Sequence, residues 1–326
     1  MRKRRKQTFF VVLLLLVLSF LLLLSDTLWH EKDKKIYNIS VITRGKNSES
    51  LMIMKQGIDQ AASEMNVNIS FITLSEENST LEQTELISRE IKNKADAIII
   101  SPVDYEKMVE PIEEAMKKVP VILFESSVKS DQVLPSISCD NYKLGVSLGE
   151  EVTRNGNGIS NIVIVKNNLE CSSIKERYDG FMSVMQRTKN NCMLWEIAND
   201  KQQTYYNGAK KLLEDNNVDV VVAFDTGILE SISKVKKDLT NTNKEKANIE
   251  IYGTGSTSKI ISFLEDRVIN ATAIQNEFNV GYLGVKTAVN KINGNKIDES
   301  IISSTVINRN NMYSEENQRL LFPFVR

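Results

Sequence analysis

Short apolar runs alternate with longer stretches in which apolar residues recur every three or four positions, from about residue 37 to residue 307. The short runs are typical of strands, and the longer stretches are typical of amphipathic helices. The near-continuous apolar runs at 95–101 and 119–125 predict strands that are buried on both faces. The predicted strands are 37–43, 67–74, 95–101, 119–125, 159–166, 192–197, 218–224, 247–253, 267–274 and 301–307. The predicted helices are 51–65, 80–93, 105–116, 141–154, 174–185, 202–216 and 278–292.

This alternation of strands and helices predicts an α/β fold with parallel sheets and helices on both faces of each sheet. A single sheet of about ten strands would be unusually wide. The 326 residues therefore fit two doubly wound lobes better. In such folds a ligand binds beyond the carboxyl ends of the strands, so the polar residues at those ends are the candidates for a binding site.

The N-terminus has the pattern of a membrane segment. Five positive charges in the first six residues precede an apolar run at 9–24, which predicts a cytoplasmic N-terminus. The run is not followed by the small residues of a cleavage site, and Trp29 suits a membrane interface. We therefore expect residues 1–30 to form a basic tip and an uncleaved anchor that crosses the membrane at 9–29. A cleaved signal peptide is the alternative, and both interpretations place residues 31–326 on the extracytoplasmic side of the cell membrane.

Composition argues against several classes of function. His30 is the sole histidine, so a Ser-His-Asp triad, a two-histidine zinc site and an HExxH motif have no histidine within the predicted fold. The three cysteines are widely spaced and form no CxxC motif, which argues against a metal knuckle. The residues after the basic tip are weakly acidic and carry no basic stripe, so nucleic acid is not expected as a partner. We predict no metal, no cofactor and no enzymatic activity.

Charged and polar side chains stand at several predicted strand ends. Glu125, Asp225 and Gln275 follow strands directly, and Arg177 lies in the first turns of a helix after a strand. Carboxylates, an amide and a guanidinium bond strongly to hydroxyl groups, which both donate and accept. Together they suit a neutral polyhydroxylated ligand, whereas each one taken alone is equally consistent with a helix cap or a surface charge. The charged run 234–238 is most simply the solvated end of a helix.

Seven segments of the chain, by their order and spacing, resemble the ribose-type periplasmic sugar-binding proteins, which are the substrate-binding components of ABC importers. The segments are KQGIDQAASE (55–64), ADAIIISPVD (95–104), VPVILFESS (119–127), ISCDN (137–141), KERYDGF (175–181), VVVAFDTGIL (220–229) and VINATAIQNEFNVG (268–281). The resemblance covers about residues 36–307. It implies the type I periplasmic binding protein fold, in which a three-strand hinge joins the two lobes.

The resemblance also places the ligand-binding positions of the family on this chain. They are Asn47 or Ser48, Ser50, Leu51, Glu125, Ser126, Arg177, Asp225, Gly255 and Gln275. Ser50 and Leu51 stand where the family usually stacks aromatic rings on the sugar. Glu125 and Ser126 replace a frequent Asp-Arg pair, and Gly255 replaces a frequent Asp. The ligand is therefore expected to be carbohydrate-like but different from a standard pentose or hexose. A different polyol, a modified sugar, a sugar-like signal molecule and a cleft that no longer binds tightly all stay open.

In this family the chain crosses between the lobes three times, which corresponds here to positions near 138–140, 274–276 and 304–306. The resemblance implies an N-terminal lobe of 36–138 plus 276–304 and a C-terminal lobe of 139–275 plus 305–326. It further implies that the lobes close around the ligand by a hinge motion and that a partner recognises the closed shape.

The leading interpretation is a membrane-tethered, monomeric binding protein that presents its ligand to an ABC permease. The alternative is a ligand-sensing accessory to a membrane histidine kinase or chemoreceptor, which the altered ligand positions and the uncleaved anchor favour. A regulator of the lactose-repressor type would need a helix-turn-helix where this chain has its apolar segment. An extracellular glycoside-acting enzyme is a remote alternative that needs Glu125 and Asp225 to flank a glycosidic bond.

Overall fold

The structure is a computed structural model that describes residues 12–20, 35–45, 48–76, 78–155, 159–196, 202–214, 217–242, 245, 248–297 and 301–321. Residues 12–20 form a helix with exposed side chains. Within the described ranges, no helix is both long enough and apolar enough to cross a membrane. The rest of the predicted anchor, with Trp29, lies outside the described residues, and so does the predicted ligand-binding residue Asn47. The anchor therefore stays a prediction.

The first sheet is built from parallel strands with helices between them. Its strands are β1 (Asn38–Ile42), β2 (Asn68–Ile72), β3 (Ala97–Ile100), β4 (Val121–Phe124) and β5 (Ser136–Ile137), in the spatial order β2-β1-β3-β4-β5. The helices between them are α1 (Glu49–Met65), α2 (Thr80–Lys92) and α3 (Val109–Met116). Every residue of β3 and β4 is buried. This burial confirms what the unbroken apolar runs predict.

The second sheet has the spatial order β11-β10-β9-β8-β6-β7. Its strands are β6 (Asn161–Lys166), β7 (Asn191–Glu196), β8 (Val220–Ala223), β9 (Glu250–Thr254), β10 (Ala271–Gln275) and β11 (Ser304–Asn308). The remaining helices are α4 (Asn141–Asn155), α5 (Ser172–Met185), α6 (Gln202–Glu214), α7 (Thr226–Thr242), α8 (Ser258–Glu265), α9 (Glu277–Ile292) and α10 (Glu315–Leu321). β11 pairs antiparallel to β10. The expectation of parallel strands is therefore wrong for β11, because the apolar period of a strand does not encode its direction.

The chain passes between the two sheets at three points. The first lies between β5 and α4, the second between β10 and α9, and the third between α9 and β11. α9 follows a strand of the second sheet but packs on the first, since Gly281 lies against Met54 of α1 and Gly284 lies beside Ile99 of β3. Two lobes result, each with one sheet at its centre. The lobe boundaries drawn from the sequence stay a prediction.

Two helix pairs approach each other closely through glycine. α1 and α9 meet at Gly57 and Gly281, and α4 and α5 meet at Gly145 and Gly180. A Cβ atom added at any of these four positions would lie 2.0–2.1 Å from a backbone carbonyl oxygen of the partner helix. Because real Cβ atoms never approach that closely, the separation of each helix pair depends on the absence of a side chain.

Four elements are absent from the predicted strands and helices. Three of them are short: β5 has 2 residues, α8 has 8 and α10 has 7. Elements of that length end before a period of two or 3.6 residues can repeat often enough to be recognised. The fourth is α7, which has 17 residues and of which only the charged run 234–238 is predicted, as a helix end. For the predicted strands and helices, the pattern gives the ends to within a few residues.

The charged run 234–238 lies inside α7 and not at a solvated end, which corrects the prediction for Lys236. Lys236 is buried, and its Nζ donates a hydrogen bond to the carbonyl oxygen of Val268 at 2.8 Å. Lys234 and Lys237, by contrast, form exposed ion pairs. Burial lowers the pKa of Lys236 to about 8, although the charge of Glu250 opposes the shift. The lysine is therefore a structural residue with a desolvated amine.

We expect the protein to become more stable as the pH rises from about 8 towards about 10.4, the pKa of lysine in an unfolded chain. Because the pKa of Lys236 is lower in the folded state, the full cost of burying the charge is present below pH 8. Between the two pKa values the folded state loses the proton first, so the free energy of unfolding should increase by about 2–3 kcal/mol. Urea unfolding at several pH values, compared with Lys236→Met, measures this. Equal slopes against pH in both proteins would contradict it.

Candidate functional site

Glu125 stands at the carboxyl end of β4, held in an uncommon backbone conformation. Its φ angle is 59°, in the left-handed region that costs a non-glycine residue about 1–3 kcal/mol. Its N–H donates to the Ile137 carbonyl at 2.9 Å, and its own carbonyl accepts from the Ser138 hydroxyl at 2.9 Å. Its Oε2 accepts from the Ser101 hydroxyl at 3.2 Å. These bonds fix the carboxylate at the end of the first sheet.

Arg177 is buried in the second turn of α5. Its Nε donates to Oδ1 of Asn141 at 2.8 Å, and Nδ2 of Asn141 donates to the Ser138 hydroxyl at 3.0 Å. Asn141 and Ser138 lie on either side of the passage from β5 to α4. The guanidinium is thereby tied to the first crossing between the lobes.

Gln275 and Glu277 lie at the second crossing, where β10 gives way to α9. Nε2 of Gln275 donates to Oε1 of Glu277 at 3.2 Å. Burial and, to a smaller extent, the charge of Glu125 raise the pKa of Glu277 to about 8, against the opposing effects of Gln275, Arg177 and Arg44. Two carboxylates that share a poorly solvated site repel each other's charge, so one of them holds its proton more tightly.

Arg44 follows β1 and is half-buried. Burial lowers the pKa of its guanidinium, but negative charges nearby more than compensate and the net shift is upwards. The carboxylates responsible are those of Glu125, Asp225 and Glu277. We call the set Arg44, Glu125, Arg177, Asp225, Gln275 and Glu277 the cleft cluster.

The loops at the ends of the two sheets touch directly. The hydroxyl of Ser126, which follows β4, lies 2.9 Å from Sγ of Cys171 and 2.9 Å from the Ser173 hydroxyl at the start of α5. On another side, the carboxylate of Glu49 accepts from the backbone N–H and the hydroxyl of Ser258. The lobes are therefore closed on each other around the cleft cluster.

The structure brings together four of the predicted ligand-binding residues: Glu125, Arg177, Asp225 and Gln275. Asp225 also caps α7, because its Oδ1 accepts from the N–H groups of Gly227 at 3.0 Å and Ile228 at 3.2 Å. The alternative interpretation as a helix cap is therefore correct for one of its oxygens.

Five predicted residues have other surroundings. Ser48 is exposed and caps α1, where its hydroxyl accepts from the Leu51 N–H at 3.3 Å. Leu51 packs in the apolar core, and Ser50 is half-buried in the first turn of α1. Gly255 has a φ angle of 141°, and its carbonyl accepts from the Thr272 hydroxyl at 2.6 Å. Ser126 is buried in the contact between the loops, as described above.

Sequence reasoning missed Arg44 and Glu277 as members of the site. Arg44 lies in the loop after the first predicted strand. The other residues of that loop are also polar, and the sequence pattern does not distinguish Arg44 from them. Glu277 lies two residues after Gln275, where an acid is an ordinary feature of the first turn of a helix. The only available signal was their position at strand ends.

The closed two-lobed arrangement has counterparts among known proteins. Residues 39–296 match the family model described as the periplasmic binding protein domain. A search of the curated proteins found no match. The fold is similar to that of a carbohydrate transporter solute-binding protein from Agrobacterium radiobacter in complex with D-arabinose. The two chains are 21% identical with a TM-score of 0.81, and the similarity covers 89% of this chain and 100% of the other.

Two further structures show the same fold. The myo-inositol-binding protein of Caulobacter, bound to myo-inositol, has a TM-score of 0.77 at 15% identity, over 88% of this chain and 98% of that one. The XylFII–LytSN complex has a TM-score of 0.75 at 21% identity, over 85% and 99% of the two chains. At these identities the similarity establishes the fold.

Proposed function

The chain belongs to the periplasmic binding protein family, and from that premise we propose that it captures a small carbohydrate-like ligand outside the cytoplasm and presents it to an ABC sugar importer. The observation that carries this proposal is the cleft cluster, which gathers charged hydrogen-bonding groups from both lobes where their strands end. Similar structures with D-arabinose and myo-inositol bound support a polyhydroxylated ligand.

In this proposal some residues of the cleft cluster accept hydrogen bonds from the ligand and others donate hydrogen bonds to it. Glu125, Asp225 and Glu277 accept from hydroxyl groups, and Arg44 and Arg177 donate to hydroxyl or ring oxygens. Charged partners make these bonds stronger than neutral ones, which suits a ligand that must compete with water. Asn47, Ser48 and Ser50, at the mouth of the first loop, are proposed to complete the contacts.

Closure of the lobes is proposed to be the signal that the partner recognises. A ligand held by groups from both lobes binds the closed form better than the open form, so it increases the closed population. The bonds of Glu49 to Ser258 and of Ser126 to α5 form only when the lobes meet. They would stabilise the closed shape after the ligand has filled the cleft.

The protein is proposed to stay attached to the cell membrane through residues 9–29, with residues 31–326 outside the cytoplasm and working as a monomer.

A ligand-sensing accessory to a membrane sensor protein is the second candidate. The fold similarity to the XylFII–LytSN complex favours it, because that structure is a complex of two proteins. Neighbouring permease and ATPase genes would support the importer, and kinase and response-regulator genes would support the sensor.

Similarity to solute-binding proteins supports binding without catalysis. A glycoside-acting enzyme would require Glu125 and Asp225 to divide the roles of acid and nucleophile or base. Release of sugar from glycosides by the purified protein would contradict the proposal.

We expect a matching ligand to raise the melting temperature by about 5 °C or more. Ligand at 100 times its dissociation constant adds about 2.7 kcal/mol to the free energy of unfolding, and each kcal/mol corresponds to about 2–4 °C in a protein of this size. Thermal unfolding against a panel of neutral sugars, polyols and amino sugars measures the shift. No shift with any member of the panel would contradict capture of a carbohydrate-like ligand.

A further inference from the structure

Two buried oxygen atoms of the cleft cluster lack a hydrogen-bond donor. They are Oε1 of Gln275 and Oε2 of Glu277, which have no partner in the described part of the chain. Gln275 is only 5% exposed, and its amide nitrogen is already engaged with the other oxygen of Glu277. A buried acceptor without a donor is destabilising. A ligand that donated a hydrogen bond to these atoms would relieve that cost.

The cluster also contains more acid than base. Among its described residues, Glu125, Asp225 and Glu277 face two cations, Arg44 and Arg177. Arg177 commits its Nε to Asn141. Burial and the charge of Glu125 raise the pKa of Glu277 to about 8, so its carboxyl holds a proton at neutral pH. A ligand that placed a positive charge against Glu277 would lower that pKa and form an ion pair with the carboxylate.

We propose that Gln275 and Glu277 form a subsite for an ammonium group, so that the preferred ligand is an amino sugar or another aminated polyol. This inference rests on the proposed function and specifies its ligand class. An ammonium group has three donors and no acceptor, which matches two unpartnered acceptor oxygens. A hydroxyl can also supply a donor, but it does not form an ion pair with Glu277.

The first test compares matched pairs of sugars on the full chain by titration calorimetry at neutral pH. The pairs are D-glucosamine with D-glucose, D-galactosamine with D-galactose and D-mannosamine with D-mannose, together with N-acetyl-D-glucosamine, which lacks the charge. In at least one pair the amino sugar should bind about tenfold more tightly, as expected for a hydrogen bond to a charged group. Equal or tighter binding of the neutral member in every pair that binds would overturn the inference while leaving the proposed function intact.

The second test removes the charge of the subsite. Glu277→Gln should reduce the preference for the amino sugar to about twofold or less, because the amide keeps the shape of the carboxylate but not its charge. Glu316→Gln is the matched control, since it removes an exposed carboxylate on α10 and should keep the full preference. A preference unchanged by Glu277→Gln would overturn the role of Glu277. If neither the neutral panel nor the amino sugars bind, the inference and the proposed function fail together.

Discussion

Replacing Gly57 with alanine should lower the free energy of unfolding by about 3 kcal/mol. A Cβ atom at this position would lie 2.0 Å from the carbonyl oxygen of Phe278 and 2.9 Å from its carbonyl carbon. Backbone atoms cannot rotate away as the end of a long side chain can, so α1 and α9 would have to separate. The better helix propensity of alanine, worth about 1 kcal/mol, is too small to compensate.

The matched control is Gly284→Ala on α9. There the nearest atoms are in the side chain of Ile99, at 3.6 Å, which is ordinary contact. This variant should be as stable as the wild type or slightly more so, because alanine restricts the unfolded chain and favours the helix. Urea unfolding of the three proteins measures both effects. Equal midpoints for Gly57→Ala and the wild type would mean that α1 and α9 are not in close contact.

The difference between the two glycines shows what a sequence can and cannot reveal about this fold. Strong apolar runs such as those of β3 and β8 are visible because each is a continuous buried stretch. Gly57 and Gly284 look alike in the sequence, since both interrupt an amphipathic helix. Only the position of the partner helix, which comes from more than 200 residues away for Gly57, separates the essential glycine from the replaceable one.

The sequence also predicts only some of the residues in the cleft cluster. Glu125, Asp225 and Gln275 follow long apolar strands, so the rule that ligands bind at strand ends finds them. Glu277 escapes that rule because its raised pKa comes from its burial and from the charge of Glu125, which is about 150 residues away in the chain. Ser48 and Leu51 show a second difficulty, because a helix cap and a core position occupy places where the family resemblance implies contacts with ligand. Their role in binding stays a prediction.

Replacing Arg177 with alanine should weaken binding of the ligand found in the thermal panel about 100-fold. The guanidinium is buried and hydrogen-bonded to Asn141, and loss of a buried charged partner costs about 2–5 kcal/mol. Its removal also leaves the carboxylates of Glu125 and Glu277 with less positive charge nearby. Titration calorimetry measures the affinity. Arg187→Ala is the control, because Arg187 is exposed just beyond the same helix and should change the affinity less than about twofold.

A loss of affinity in Arg177→Ala has two explanations, since the variant removes both a ligand contact and a support for Asn141. Asp225→Asn tests the cleft cluster without that ambiguity. Asparagine can accept the same N–H groups of Gly227 and Ile228 that Asp225 caps, so the stability of the free protein should change by less than about 0.5 kcal/mol. The ligand, however, would lose a charged acceptor and bind about tenfold more weakly. If Asp225→Asn binds as the wild type does, the cleft cluster does not contact the ligand through Asp225.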